Sequence, residues 1–371
     1  MVHIPPTVLL QPCGSDCATV LWKQANFEEE EGYQNLPPIG EQLATNQAKL
    51  DRACVAALAG PIHFPLAAKD GSSMLLGHLG SLKDLSQALA AKAIFELREK
   101  RYGESWTNLL ALTRLNTAWD PESVEISHLV RFNIARSAYY TAWQALQTHH
   151  WTEAQLVALQ KEWEAPDFFK GIPDTIAFMR ACAVDTCIQE RSAPQPGIPL
   201  QNTLENALQF PGSLPADLKR RWERARYHAN GTYEDERDLL LFFRDRELEC
   251  RKAIIALTWQ EMRLLPGATN AAPFQSKHGS AMQSQLNTRQ LALSFHLGGK
   301  SLLGRAAETE ARRRLVVVAI GLERYRVAHG SYPKDLQSLV PGILKSVPVD
   351  FMDGKPLWYR FSDPGCFVLH S

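Results

Sequence analysis

The chain has 371 residues, more than one hydrophobic core usually serves, because cores tend to divide above roughly 250–300 residues. Its 45 % hydrophobic and 22 % charged residues are those of a globular protein and argue against wholesale disorder. Forty Lys and Arg balance forty Asp and Glu, so a net charge of +0 leaves no global field to hold nucleic acid or an anionic membrane.

Residues 1–38 are Pro-rich and irregular, and the acidic run 28–31 reads as a solvated face. The start, Met1-Val-His-Ile-Pro-Pro, lacks the charged and apolar parts of a signal peptide. A Met placed directly before such a segment is also what remains when an upstream export or anchor segment is removed. An envelope or periplasmic location is expected in that case, and a cytoplasmic one otherwise. Of the seven cysteines only Cys13 and Cys17 are close together outside a predicted helix, so neither a disulfide framework nor a zinc site is implied.

From residue 39 to about 300 helical periodicity dominates. Leu43, Leu50, Cys54, Val55 and Leu58 predict a helix that stops at Gly60-Pro61, and a turn around Asp70-Gly71-Ser72-Ser73 precedes a long apolar-periodic run over 75–97. Arg101-Tyr102-Gly103-Glu104 then leads into a second helix through Trp106, Leu109, Leu112 and Leu115. Helix, Tyr-Gly-Glu turn and helix resemble one tetratricopeptide hairpin, in which small residues let two helices pack closely, but no 34-residue period follows. Irregular antiparallel hairpins are therefore expected.

Asp120-Pro121-Glu122 has the cap residue, first-turn Pro and acid of a helix start and predicts a helix over 124–147. Thr152 with Gln155 predicts a capping box. Asp167 and Pro173-Asp174 introduce a helix to about residue 189, and the Pro-rich stretch 192–215 reads as a linker or surface loop. Thr232 with Asp235 opens a helix through Leu239, Phe243, Leu248 and Trp259 that stops at Pro266-Gly267. A loop over 267–280 and a helix from about 283 to Gly298-Gly299 complete this part.

The last residues carry the most information. Glu310-Ala-Arg-Arg-Arg-Leu runs through Leu322-Glu323-Arg324-Tyr325-Arg326 to Gly330-Ser331-Tyr332-Pro333. A short helix at Leu336, Leu339 and Val340, a turn at Asp350 and Asp353, and strand faces at Trp358, Tyr359, Phe361, Phe367 and Leu369 follow. This order resembles the globular end of the type II secretion major pseudopilins. The resemblance implies a helix stopped at Tyr332-Pro333 and a small α+β module over 305–371. The family's processing site, membrane-spanning helix start and Gly- and Asp-rich calcium tail have no counterpart, so no metal ligand is carried over. The longest apolar run there, 315–322, falls far short of the roughly twenty residues that span a bilayer.

Chemistry-bearing residues are sparse. His63 and His78 flank the Asp-Gly-Ser-Ser turn and could face one another across it, but no Gly-x-Ser-x-Gly elbow accompanies them. Glu236 lies in the acidic start 234–238 of its helix, where acids offset the positive pole. His149-His150 at a helix end reads as a dipole cap before a metal ligand. Arg312-Arg313-Arg314, at the unfavourable end of a helix, is to be held by Glu308 and Glu310 or by a partner. Gly298-Gly299-Lys300-Ser301 lacks the earlier Gly and the strand of a phosphate loop.

No cofactor is implied. The expectation is a mainly helical protein with a small pseudopilin-like module, acting as a noncatalytic interaction or scaffold protein of the bacterial envelope or secretion, with a protein or peptide partner and no nucleic acid. A hydrolase acting on a glycan or peptide, with His63, His78 or Glu236 at its site, is the alternative.

Overall fold

The computed structural model describes residues 20–21, 40, 43–65, 71, 74–192, 227–265, 302–363 and 366–371. The readings placed on 1–19 and 22–38 with its acidic run 28–31, on 192–215 beyond Ser192, 267–280, 283–298 and Gly298-Gly299-Lys300-Ser301, and on Asp70, Ser72 and Ser73, lie outside these residues.

The fold is mainly helical with a small β element at the C-terminal end. The helices are α1 (Gln47–Ala59), α2 (Gly77–Arg98), α3 (Tyr102–Thr117), α4 (Glu125–Leu146), α5 (Glu153–Glu164) and α6 (Ile172–Ser192). A π turn, Tyr227–Gly231, leads into α7 (Thr232–Ala253), followed by α8 (Trp259–Met262) and α9 (Leu302–His329). A 3-10 turn, Leu336–Leu339, precedes the antiparallel hairpin of β2 (Trp358–Asp363) and β3 (Cys366–His370). The short β1 (Val20–Leu21) pairs with the other edge of β3.

Helices α2 and α3 form the expected hairpin. Their close approach comes from the buried alanines 88, 90, 91 and 93 of α2 and not from Gly103, where an added Cβ would meet nothing within 4 Å. Polar ties fix the register: Ser105 Oγ donates to the Ala93 carbonyl at 2.8 Å, and Asn108 Nδ2 donates to Glu96 Oε2 at 2.7 Å. The Thr152–Gln155 capping box is present at the start of α5. Helix α4 covers the expected 124–147 to within one residue at each end, but its N-cap is Val124, with no side-chain cap, and not Asp120; Glu122 pairs with His78. The helix expected to reach Trp259 ends at Ala253; Trp259 and Gln260 instead donate their backbone N–H groups to the carbonyls of Phe351 and Met352.

Helix α9 is the centre of the molecule. An amphipathic helix would leave one side in water, yet Leu315, Val316, Val317, Val318, Ala319, Ile320 and Leu322 are all buried. One side packs on α4 and α5, and β3 and the 3-10 turn cover another. The main core therefore joins residues of α1–α5 with those of α9, Phe367 and Leu369. A second cluster gathers Phe132, Phe168, Met262, Leu303 and Phe351, and a third lies inside the α6–α7 hairpin.

The helix ends at His329, ahead of Tyr332-Pro333. Gly330 adopts φ 77° and returns its N–H to the Arg326 carbonyl at 2.7 Å, the left-handed stop that glycine allows. Tyr332 instead serves a clasp. Glu323, 1 % exposed, accepts from Tyr332 Oη at 2.8 Å and from Arg326 Nη2 at 2.6 Å, and its Oε1 lies 3.1 Å from His149 Nδ1. Burial alone would raise the Glu323 carboxyl, but the His149, Arg326 and Tyr332 donors outweigh it and hold the group below its ordinary range. His149 reaches this position with φ 58°. It is thus a tertiary contact and not the dipole cap that its place after α4 suggests.

The arginine triplet is likewise spent inside the chain. Arg312 pairs with Glu308 at 2.6 Å, and Arg313 and Arg314 share Glu310 at 2.6 and 2.9 Å. Arg313 also donates to the Trp163 carbonyl and Arg314 to that of Val349. Among the described residues no helix is long and apolar enough to cross a membrane.

Candidate functional site

The segment 61–65 runs beside the end of α3, where Ile62 donates its N–H to the Ala118 carbonyl. This puts Phe64, not His63, against His78, with ring centroids 4.2 Å apart. His63 is exposed. His78, in the first turn of α2, places Nε2 3.0 Å from Glu122 Oε1, and the Glu122 side chain is only 4 % exposed. Glu236 belongs elsewhere: it pairs with Arg191 and ties α7 to α6, with the guanidinium 4.4 Å over the Tyr233 ring. No hydrogen bond, ion pair or ring contact joins any two of His63, His78 and Glu236.

Next to the His78–Glu122 pair lies an open groove of about 370 Å³. Met74 and Leu76 line it from the approach to α2, Val124, Glu125 and Ile126 from the start of α4, and Phe178, Met179 and Cys182 from one face of α6. Gly71 lines one end with φ 51°, a left-handed backbone that favours glycine, and an added Cβ there would lie 3.0 Å from Asp185 Oδ2.

The walls are apolar, and two thioethers give them adaptability. Glu125 is the acid among them. Burial raises its carboxyl above the ordinary value, Arg305 opposes this through space, and no hydrogen bond or ion pair reaches it among the described residues. The Cys182 thiol is also pushed up, by burial and by Asp185, so it is a poor nucleophile. Phe178 and Met179 were not singled out in the sequence. Their only signal is an apolar face on α6 that the core does not fully use.

The corner between α3 and α4 is rich in buried polar groups. Both polar atoms of the Asn116 side chain, Trp119 Nε1, Glu122 Oε2, Ser127 Oγ and both ring nitrogens of His128 have no hydrogen-bond partner among the described residues. Arg131 crosses the corner, donating to the carbonyls of Asn116 and Asp167 at 3.2 and 3.3 Å with its guanidinium 5.1 Å over Phe168. Burial lowers the His128 imidazole to about 4, Arg131 pushes it further down, and Asp120 opposes both. Burial also lowers Arg131, to about 10.

No group of three or more His, Cys, Asp or Glu side chains able to hold a metal ion occurs among the described residues. Comparison of the chain with family models, with curated proteins and with solved structures gives no match. The functional reading therefore rests on the geometry of the groove.

Proposed function

We propose that this chain is a noncatalytic interaction protein that receives apolar side chains of a protein or peptide partner in the groove between the approach to α2, the start of α4 and α6. The observation that carries this reading is the groove itself: open to solvent, walled by Met74, Leu76, Val124, Phe178 and Met179, and without a reactive pair inside it. Pockets for small substrates usually converge several polar groups, whereas surfaces that accept varied apolar side chains use flexible, Met-containing walls. The pseudopilin-like order of residues 310–369 supports a place in the bacterial envelope or its secretion machinery.

The test is a displayed peptide library selected on the purified full chain, repeated on Ile126→Asp. Ile126 is 49 % exposed, so the substitution charges the groove rim with little effect on the core. Peptides that bind the wild type and are lost on Ile126→Asp support the reading. Binders indifferent to this change, or no binders, sink it.

A second reading, a hydrolase, is favoured by one observation: buried Glu122 holds His78 Nε2 and so orients the ring at the groove margin. Its test is hydrolysis of peptide and glycan panels by wild type and His78→Gln. Turnover that the substitution abolishes would establish an enzyme, and no turnover by either would remove this reading.

A further inference from the structure

We infer that the groove recognises an apolar peptide segment carrying one lysine or arginine, whose cation lies against Glu125. The inference rests on the reading of the groove as a partner site. It starts from a difference between Glu125 and the other buried acids. Glu96 accepts from Asn108, Glu122 is bonded to His78, Glu310 holds Arg313 and Arg314, Glu323 holds Tyr332 and Arg326, and Asp235 accepts from Tyr227. Glu125 is half-buried, lines a cavity and accepts no hydrogen bond among the described residues.

A carboxylate removed from water without a donor is costly, and a cation set against it recovers much of that cost. The position at the first residue of α4 does not account for it. The positive pole of the helix eases an anion there, yet the α4 N-cap, Val124, offers no side-chain partner, and among the described residues no backbone N–H is bonded to the Glu125 carboxylate. The charges around the groove favour a cation further. Asp185 stands at the Gly71 end, with Gln189 as its donor at 2.6 Å, and no Lys or Arg lines the walls among the described residues. Arg305, exposed on α9, acts on Glu125 only through space.

An apolar peptide alone would leave Glu125 desolvated and unpaired, and an acidic one would add repulsion. A lysine meets both demands: its methylene stem can lie along Met179 and Phe178 while its ammonium reaches the carboxylate.

The experiment uses the peptides selected on the full chain. The tightest binder is synthesised with its cationic residue intact and with norleucine in its place. Both are titrated by fluorescence anisotropy against wild type, Glu125→Gln and Ile126→Asp. The expected result is a loss of about tenfold on norleucine substitution with the wild type, a similar loss on Glu125→Gln, and no further loss when the two changes are combined. Selected peptides without a cation, or a norleucine peptide bound as tightly as its parent, overturn the inference; the groove reading then survives if Ile126→Asp still abolishes binding. Binding that persists in Ile126→Asp removes the groove reading and the inference together.

Discussion

Two corners of the helical domain bury polar groups in opposite ways. At the turn from α4 to α5, the Glu323 carboxylate collects Tyr332, Arg326 and His149, so an ion removed from water is compensated by donors from three parts of the chain. At the turn from α3 to α4, Asn116, Trp119, Ser127 and His128 are buried with no partner among the described residues for their polar side-chain atoms. The first corner fixes the C-terminal module on the hairpins. The second gathers polar side chains around the end of α3 and the first turn of α4, the helix whose start lines the groove.

The comparison breaks most visibly at its ionic hub. Glu323→Ala leaves Arg326 and His149 beside an apolar gap and should cost about 3–5 kcal/mol in urea denaturation of the full chain. A loss below about 1 kcal/mol would show that the clasp is no more valuable than a surface ion pair.

Acid separates the corners next. His128 has a folded value near 4 against 6.5 in the unfolded chain, so the unfolded state takes up the proton first. Its contribution to stability is full above pH 6.5 and is lost as pH falls towards 4, a total of about 3 kcal/mol. Glu323 is also held below its ordinary 4.5, but as a carboxylate its contribution is present above that value and disappears only as pH falls through the lower folded one. The α3–α4 corner should therefore weaken first on acidification. Urea midpoints across this range should flatten in His128→Leu and keep their slope in Glu323→Ala; equal slopes in wild type and His128→Leu would contradict the assignment.

Smaller changes sharpen the picture. Tyr332→Phe keeps the ring against Phe367 but deletes the bond to Glu323, an expected loss of about 1.5–3 kcal/mol by the same measurement. Thr152→Ala removes the side-chain half of the α5 capping box, for about 1 kcal/mol, and should leave the pH dependence unchanged.

Much of the helix order was legible because periodicity and caps are local. Thr152 and Gln155 announce α5, and Glu308 and Glu310 announce the partners of Arg312, Arg313 and Arg314. Three readings needed tertiary information. Glu122 looks like a first-turn acid until His78 arrives from another helix. His149 looks like a dipole cap because Glu323 lies 174 residues away in sequence. Leu315 to Leu322 looks like one apolar face, although neighbours surround it. The groove was the least legible feature, since it combines the separate stretches 71–76, 124–126 and 178–182, none of which carries a motif.

The burial of α9 also bears on how the protein is made. Helices α2–α5 leave the ribosome well before the helix that lies along them, and Gln160 meets the Ile343 carbonyl only across 183 residues. Through that interval the trough that will hold Leu315, Val318 and Leu322 stands uncovered, a surface suited to self-association or to a chaperone. Completion of the core is thus a late event in synthesis, set by arrival of the C-terminal helix and not by closure of the early hairpins.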